Sequence, residues 1–101
     1  MRIIVFFDLP SVSYSDRREY AKFRKFLLRT GFIMMQESVY CKLAFNSTVA
    51  NLIKENVKKN KPKAGLVQML TVTEKQFAKM DLVVGSFTSS IISSDERIIV
   101  V

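Results

Sequence analysis

At 101 residues and 49% apolar content, the chain is long enough for one domain with one modest core, and it is no disordered polypeptide. Sixteen Lys and Arg stand against nine acids, a net charge of +7 that favours a polyanionic partner such as nucleic acid. Histidine is absent, which excludes a Ser-His-Asp triad, a Cys-His pair, a histidine general base and any His-containing zinc site. The one cysteine, Cys41, cannot form an internal disulfide and reads as a small buried hydrophobe. No apolar run is long enough to span a bilayer, and the N-terminus lacks the layout of a signal peptide. A cytoplasmic protein with no membrane partner is the simplest expectation.

Residues 3–7, Ile-Ile-Val-Phe-Phe, form an unbroken apolar run rich in β-branched and aromatic side chains. The run reads as a strand buried on both faces, in the middle of a sheet. It ends on an acid, Asp8, and Pro10 stops the strand. After a polar connection, a helix is expected from near Asp16, with Glu19 as its capping-box partner. Tyr20, Phe23, Leu27 and Thr30 form its core-facing stripe. Arg18, Lys22, Lys25 and Arg29 form a basic ridge on the other side, and Gly31 suits the left-handed C-cap position.

Residues 32–45 read as a second β region, and fold logic favours two strands joined by a tight turn at Gln36 and Glu37. Asn46, Ser47 and Thr48 suit the N-cap of a second helix with Val49, Leu52, Ile53 and Val57 on its apolar face. Five lysines, Lys54, Lys58, Lys59, Lys61 and Lys63, occupy its exposed side and exit, balanced only by Glu55. Residues 65–73 read as a strand. Thr73-Glu-Lys-Gln76 reads as a capping box for a short helical turn with Phe77 and Met80 inward, and residues 82–84 as a brief strand. Residues 86–94 are a serine-rich connection, and Ile98-Ile-Val-Val101 is an aliphatic strand that needs a sheet edge, which a second copy could supply.

The order strand, helix, strand, strand, helix, strand predicts an α+β fold of the ferredoxin-like βαββαβ type over residues 1–85. Helices would cover one sheet face. The other face, still apolar, would be covered by a second copy, sheet against sheet.

The chain resembles the small CRISPR-associated adaptation proteins, ferredoxin-like dimers that accompany the CRISPR integrase, most closely their type II form. The resemblance rests on Ile3-Ile-Val-Phe-Phe-Asp-Leu-Pro10, Asp16-Arg-Arg18, Tyr20-Ala-Lys-Phe-Arg-Lys-Phe26, Gly31-Phe-Ile-Met-Met-Gln-Glu-Ser-Val-Tyr40, Leu70-Thr-Val-Thr-Glu-Lys-Gln-Phe77 and Asp95-Glu-Arg97. It implies a homodimer in which residues 86–101 complete the other subunit's sheet. It implies that Asp8 meets its symmetry mate and holds a divalent metal, Mg²⁺ or Mn²⁺, in an endonuclease acting on RNA or DNA. It also implies a dimer that bridges the integrase on double-stranded DNA during spacer acquisition, with Arg17 and Arg18 on the DNA backbone.

Each candidate has a plainer reading. An Asp at a strand-to-loop corner often bonds backbone N–H groups. As a metal ligand, one carboxylate is weak, but a twofold axis makes it two, and Mg²⁺ commonly uses one or two carboxylates. With histidine absent, a metal-bound water is a plausible nucleophile for phosphodiester cleavage. Ser38 is a possible accessory group or a turn-capping serine. Arg18, Lys22, Lys25 and Arg29 form a phosphate-contacting ridge or a solvated helix face, and the lysines from Lys58 to Lys63 carry the same two readings. Rival functions are a freestanding toxin-like ribonuclease and a single-stranded RNA-binding module that stacks bases on Tyr40, Phe6 or Phe7.

Overall fold

A computed structural model describes residues 1–85. The elements, in chain order, are β1 (Arg2–Asp8), α1 (Tyr14–Arg29), β2 (Ile33–Gln36), β3 (Val39–Leu43), α2 (Ser47–Lys59), β4 (Leu66–Val72) and α3 (Glu74–Ala78). The sheet order is β2-β3-β1-β4, with every neighbouring pair antiparallel. This is the ferredoxin-like α+β arrangement with β1 in the interior. The connection and terminal strand expected over 86–101 lie outside the described residues.

Strand alternation divides β1 between two environments. Ile3, Val5 and Phe7 point toward the helices and pack with Phe23, Phe26 and Leu27 of α1 and with Ala50 and Val57 of α2. Full burial of such side chains contributes about 1.5–3 kcal/mol each, so this cluster is what fixes α1 and α2 on one face. Edge-to-face contact of Phe7 with Phe23, at 5.2 Å between ring centroids, locks α1 over the middle of the sheet. Arg2, Ile4, Phe6 and Asp8 alternate onto the opposite face, which α1 and α2 leave open.

Several details differ from the sequence expectation. Helix α1 begins at Tyr14 because Ser13 is its N-cap: the Ser13 hydroxyl accepts from the Asp16 N–H, and the Asp16 carboxylate accepts from the Ser13 N–H. Asp16 is thus the third helical residue of a capping box, and Glu19 belongs to no cap. The β2–β3 turn falls on Glu37 and Ser38, one residue later than expected, with a bulge between Met34 and Gln36. Leu52 is exposed, and Ala50 takes the buried place on α2. Met80 is exposed, and residues 82–84 form no strand. Other expectations hold. Gly31 has φ 100° just after α1, and Asn46 caps α2 through the Val49 N–H. Thr73 and Gln76 form the capping box that starts α3.

Candidate functional site

Asp8 is the last residue of β1, paired with Leu66 of β4 and exposed on the open face. Its carboxylate has no hydrogen bond or ion pair among the described residues, so the backbone-capping role open to it in the sequence is not taken up. The corner after it is shaped by Gly65, at φ 98°. A Cβ there would meet the Leu9 side chain at 2.7 Å and the Asp8 carbonyl oxygen at 2.8 Å. Glycine therefore lets β4 begin tight against the residue that carries the acid.

Ser38 reaches the same place from the β2–β3 turn. The Phe7 N–H donates to the Ser38 carbonyl oxygen at 3.1 Å, which carries the β1–β3 ladder one step past Val39. Asp8 and Ser38 border one shallow depression of about 180 Å³, with Leu66 and Gln68 on its β4 side. Gln68 was not foreseen. Nothing in its local sequence marks it, because it reaches the depression only through the β1–β4 register, in which it lies opposite Phe6.

The open face that carries Asp8 exposes apolar side chains along its length. Leu66 and Leu70 of β4 are 55% and 51% exposed, and Leu43 of β3 is 56% exposed; Phe6 is 37% exposed. By register Phe6, Leu43, Leu66 and Leu70 share the open face with Asp8. The described residues contain no cluster of three or more His, Cys, Asp or Glu side chains, and Asp8 is the one acid among the described residues that border this depression. Magnesium chemistry is satisfied by one or two carboxylates plus water, so the residues fit such an ion when Asp8 is doubled by a second copy.

The basic candidates lie elsewhere. Arg17, Arg18, Lys22, Lys25 and Arg29 are all exposed on α1, across the sheet from the Asp8 face. Arg17 is occupied locally, donating from Nη1 to the Val12 carbonyl oxygen at 2.8 Å. Arg18, Lys22 and Lys25 border one groove, which Arg29 does not reach. The fold thus brings Asp8 to Ser38 and gathers three of the five bases, but it keeps the two groups on opposite faces.

Tyr40 and Cys41 are fully buried and Phe7 nearly so, which removes Tyr40 and Phe7 as base-stacking platforms. Burial pushes the Cys41 thiol above its ordinary range, opposed by the Arg2 guanidinium at 3.8 Å, so it is no ready nucleophile. No described helix is long and apolar enough to cross a membrane.

Comparison with known proteins agrees with this fold. The family model described as CRISPR associated protein Cas2 matches residues 1–80. The chain is 50% identical to the CRISPR-associated endoribonuclease Cas2 of Treponema denticola over 100 residues, covering 99% of both proteins. It is 48% identical to the protein of the same name from Streptococcus mutans, covering 98% of this chain and 91% of that one. The crystal structure of Streptococcus pyogenes Cas2 at pH 6.5 superposes with a TM-score of 0.60 at 15% identity, over 82% of this chain and 99% of that chain. The chain belongs to the Cas2 family of CRISPR-associated proteins.

Proposed function

We propose that the protein acts as a homodimer, packed through its open sheet faces, with one divalent cation held between the two Asp8 carboxylates. The observation that carries this reading is the pairing of an unpartnered acid with an uncovered apolar surface. Asp8 stands at the mouth of the central strand, opposite Leu66 and two residues from Phe6, on a face where Leu70 is exposed as well. A second copy laid on that face buries the leucines and brings the acids together. Two close carboxylates repel unless a cation or proton sits between them.

When bound, Mg²⁺ or Mn²⁺ there supplies Lewis-acid stabilisation of a phosphodiester in hydrolysis. Asp8 holds the ion. Ser38 and Gln68, bordering the same depression, offer hydrogen-bond donors to phosphate oxygens. The curated relatives are endoribonucleases by name, which supports RNA as the cleaved substrate. The basic face of α1 binds the backbone of double-stranded DNA, and the dimer bridges the CRISPR integrase during spacer acquisition. Because Asp8 and α1 lie on opposite faces, DNA holding and cleavage are separable tasks.

The test is a cleavage assay on RNA and DNA with and without Mg²⁺, run on wild type and Asp8→Ala, beside a spacer-uptake assay of the same variant. The expected result is Mg²⁺-dependent cleavage lost in Asp8→Ala with spacer uptake retained. Cleavage that survives the substitution refutes the assignment of Asp8.

A further inference from the structure

We infer that the lysines of the α2–β4 connection form the second wall of a phosphate-backbone track whose first wall is α1. The inference rests on the DNA-binding reading above and deepens it, since it names where one strand of the duplex runs.

Two basic segments far apart in sequence converge. Lys63 borders the same groove, about 600 Å³, as Arg18, Lys22 and Lys25. An adjoining hollow is bounded by Lys22 from α1 and by Lys59 and Lys61 from the exit of α2. Lys22 and Glu19 border both, so the two hollows form one continuous track. Six cations line it against a single acid, Glu19. None of the six has an ion-pair partner among the described residues, whereas neighbouring Lys58, which borders neither hollow, is paired with Glu55 at 3.4 Å.

Such a cluster works against its own fold. Arg18 and Lys22 are like charges four apart on a helix, and Lys22 and Lys25 are like charges three apart, spacings at which repulsion weakens the helix. Phosphates relieve that repulsion. From Arg18 to Lys25 the helix rises about 10 Å, enough to reach more than one phosphate of a single strand. The ligand is therefore the phosphodiester backbone of a duplex, with one strand lying between α1 and the α2–β4 connection, read without base contacts.

The test is fluorescence anisotropy of the full-length protein with a labelled blunt-ended DNA duplex of arbitrary sequence, over roughly 50–200 mM salt. Lys61→Ala with Lys63→Ala is expected to make the slope of log K against log salt shallower by about 1.8, at about 0.9 per lost phosphate contact. Lys75→Ala with Lys79→Ala, which removes the same charge from α3 and its C-cap, is expected to keep the wild-type slope. The inference is overturned if the connection variant keeps the wild-type slope while Arg18→Ala with Lys22→Ala loses it. It is equally overturned if the α3 control falls as far as the connection variant, because net charge alone then governs binding. A slope change seen with single-stranded RNA but not with duplex overturns the choice of ligand. Wild-type protein that binds no duplex refutes the DNA-binding reading itself, a result distinct from each of these.

Discussion

Arg2 and Asp8 occupy the same face of β1, at its two ends, and only Arg2 is closed over. The Arg2 Nε donates to both carboxylate oxygens of Glu74, at 3.1 and 3.0 Å, and its guanidinium lies 4.4 Å from the centroid of the Phe77 ring. Both partners belong to α3, so this contact seats α3 on the otherwise open face. Burial is the largest single influence and works against the charge on Arg2, but the hydrogen bonds and charges of Glu74 and Cys41 together outweigh it and hold the guanidinium above its ordinary value. Asp8, six residues on and about 20 Å away along the strand, has no such cover.

Glu74→Ala is therefore expected to destabilise the protein by about 1–3 kcal/mol, since it withdraws an acceptor from a buried charged donor. The 44% exposure of Glu74 places the loss toward the low end, because solvent already screens the pair. Urea unfolding of the variant and wild type measures it.

Asp8→Ala is expected to leave stability within about 0.5 kcal/mol of wild type, because the carboxylate makes no contact that folding depends on. A stability loss well above that figure in the same urea experiment means that Asp8 is a structural turn-former after all.

Gly65→Ala is expected to cost about 1–3 kcal/mol, since it places a Cβ at a positive φ. The same Cβ presses on the Asp8 carbonyl oxygen, so cleavage is expected to fall more than melting temperature alone explains. Comparing activity with thermal stability, both well below the melting transition, separates the two effects.

Tyr40→Phe tests the core directly. The Tyr40 hydroxyl is buried without a hydrogen-bond partner among the described residues, and the ring stacks on Phe7 at 5.6 Å. Removing an unsatisfied hydroxyl is expected to be neutral or to stabilise by about 1 kcal/mol.

Much of this architecture was legible in the chain, because its strongest signals are local. The apolar run 3–7, the stripe at Phe23 and Leu27, and the Thr73 capping box each carry their own period or spacing. Where two local signals compete, reading along the chain falters. Ser13-x-x-Asp16 and Asp16-x-x-Glu19 both resemble a capping box, and only the hydrogen bonds show that the first one forms. Leu52 is apolar, yet the arc set by Ala50, Ile53 and Val57 leaves it outside, so position on the helix overrides hydropathy. Asp8 was visible because an acid after an apolar strand is conspicuous. Gln68 and the convergence of Lys63 with Lys22 were not visible, because strand register and chain crossing create both, and neither leaves a mark in neighbouring residues.

In the proposed dimer, a lone acid becomes a shared cation site. Isothermal titration with Mn²⁺ measures this most directly, through the number of ions bound per chain. One ion for every two chains in the wild type, with binding lost in Asp8→Ala, is the predicted result. One ion per chain, or binding that the substitution leaves intact, would contradict it.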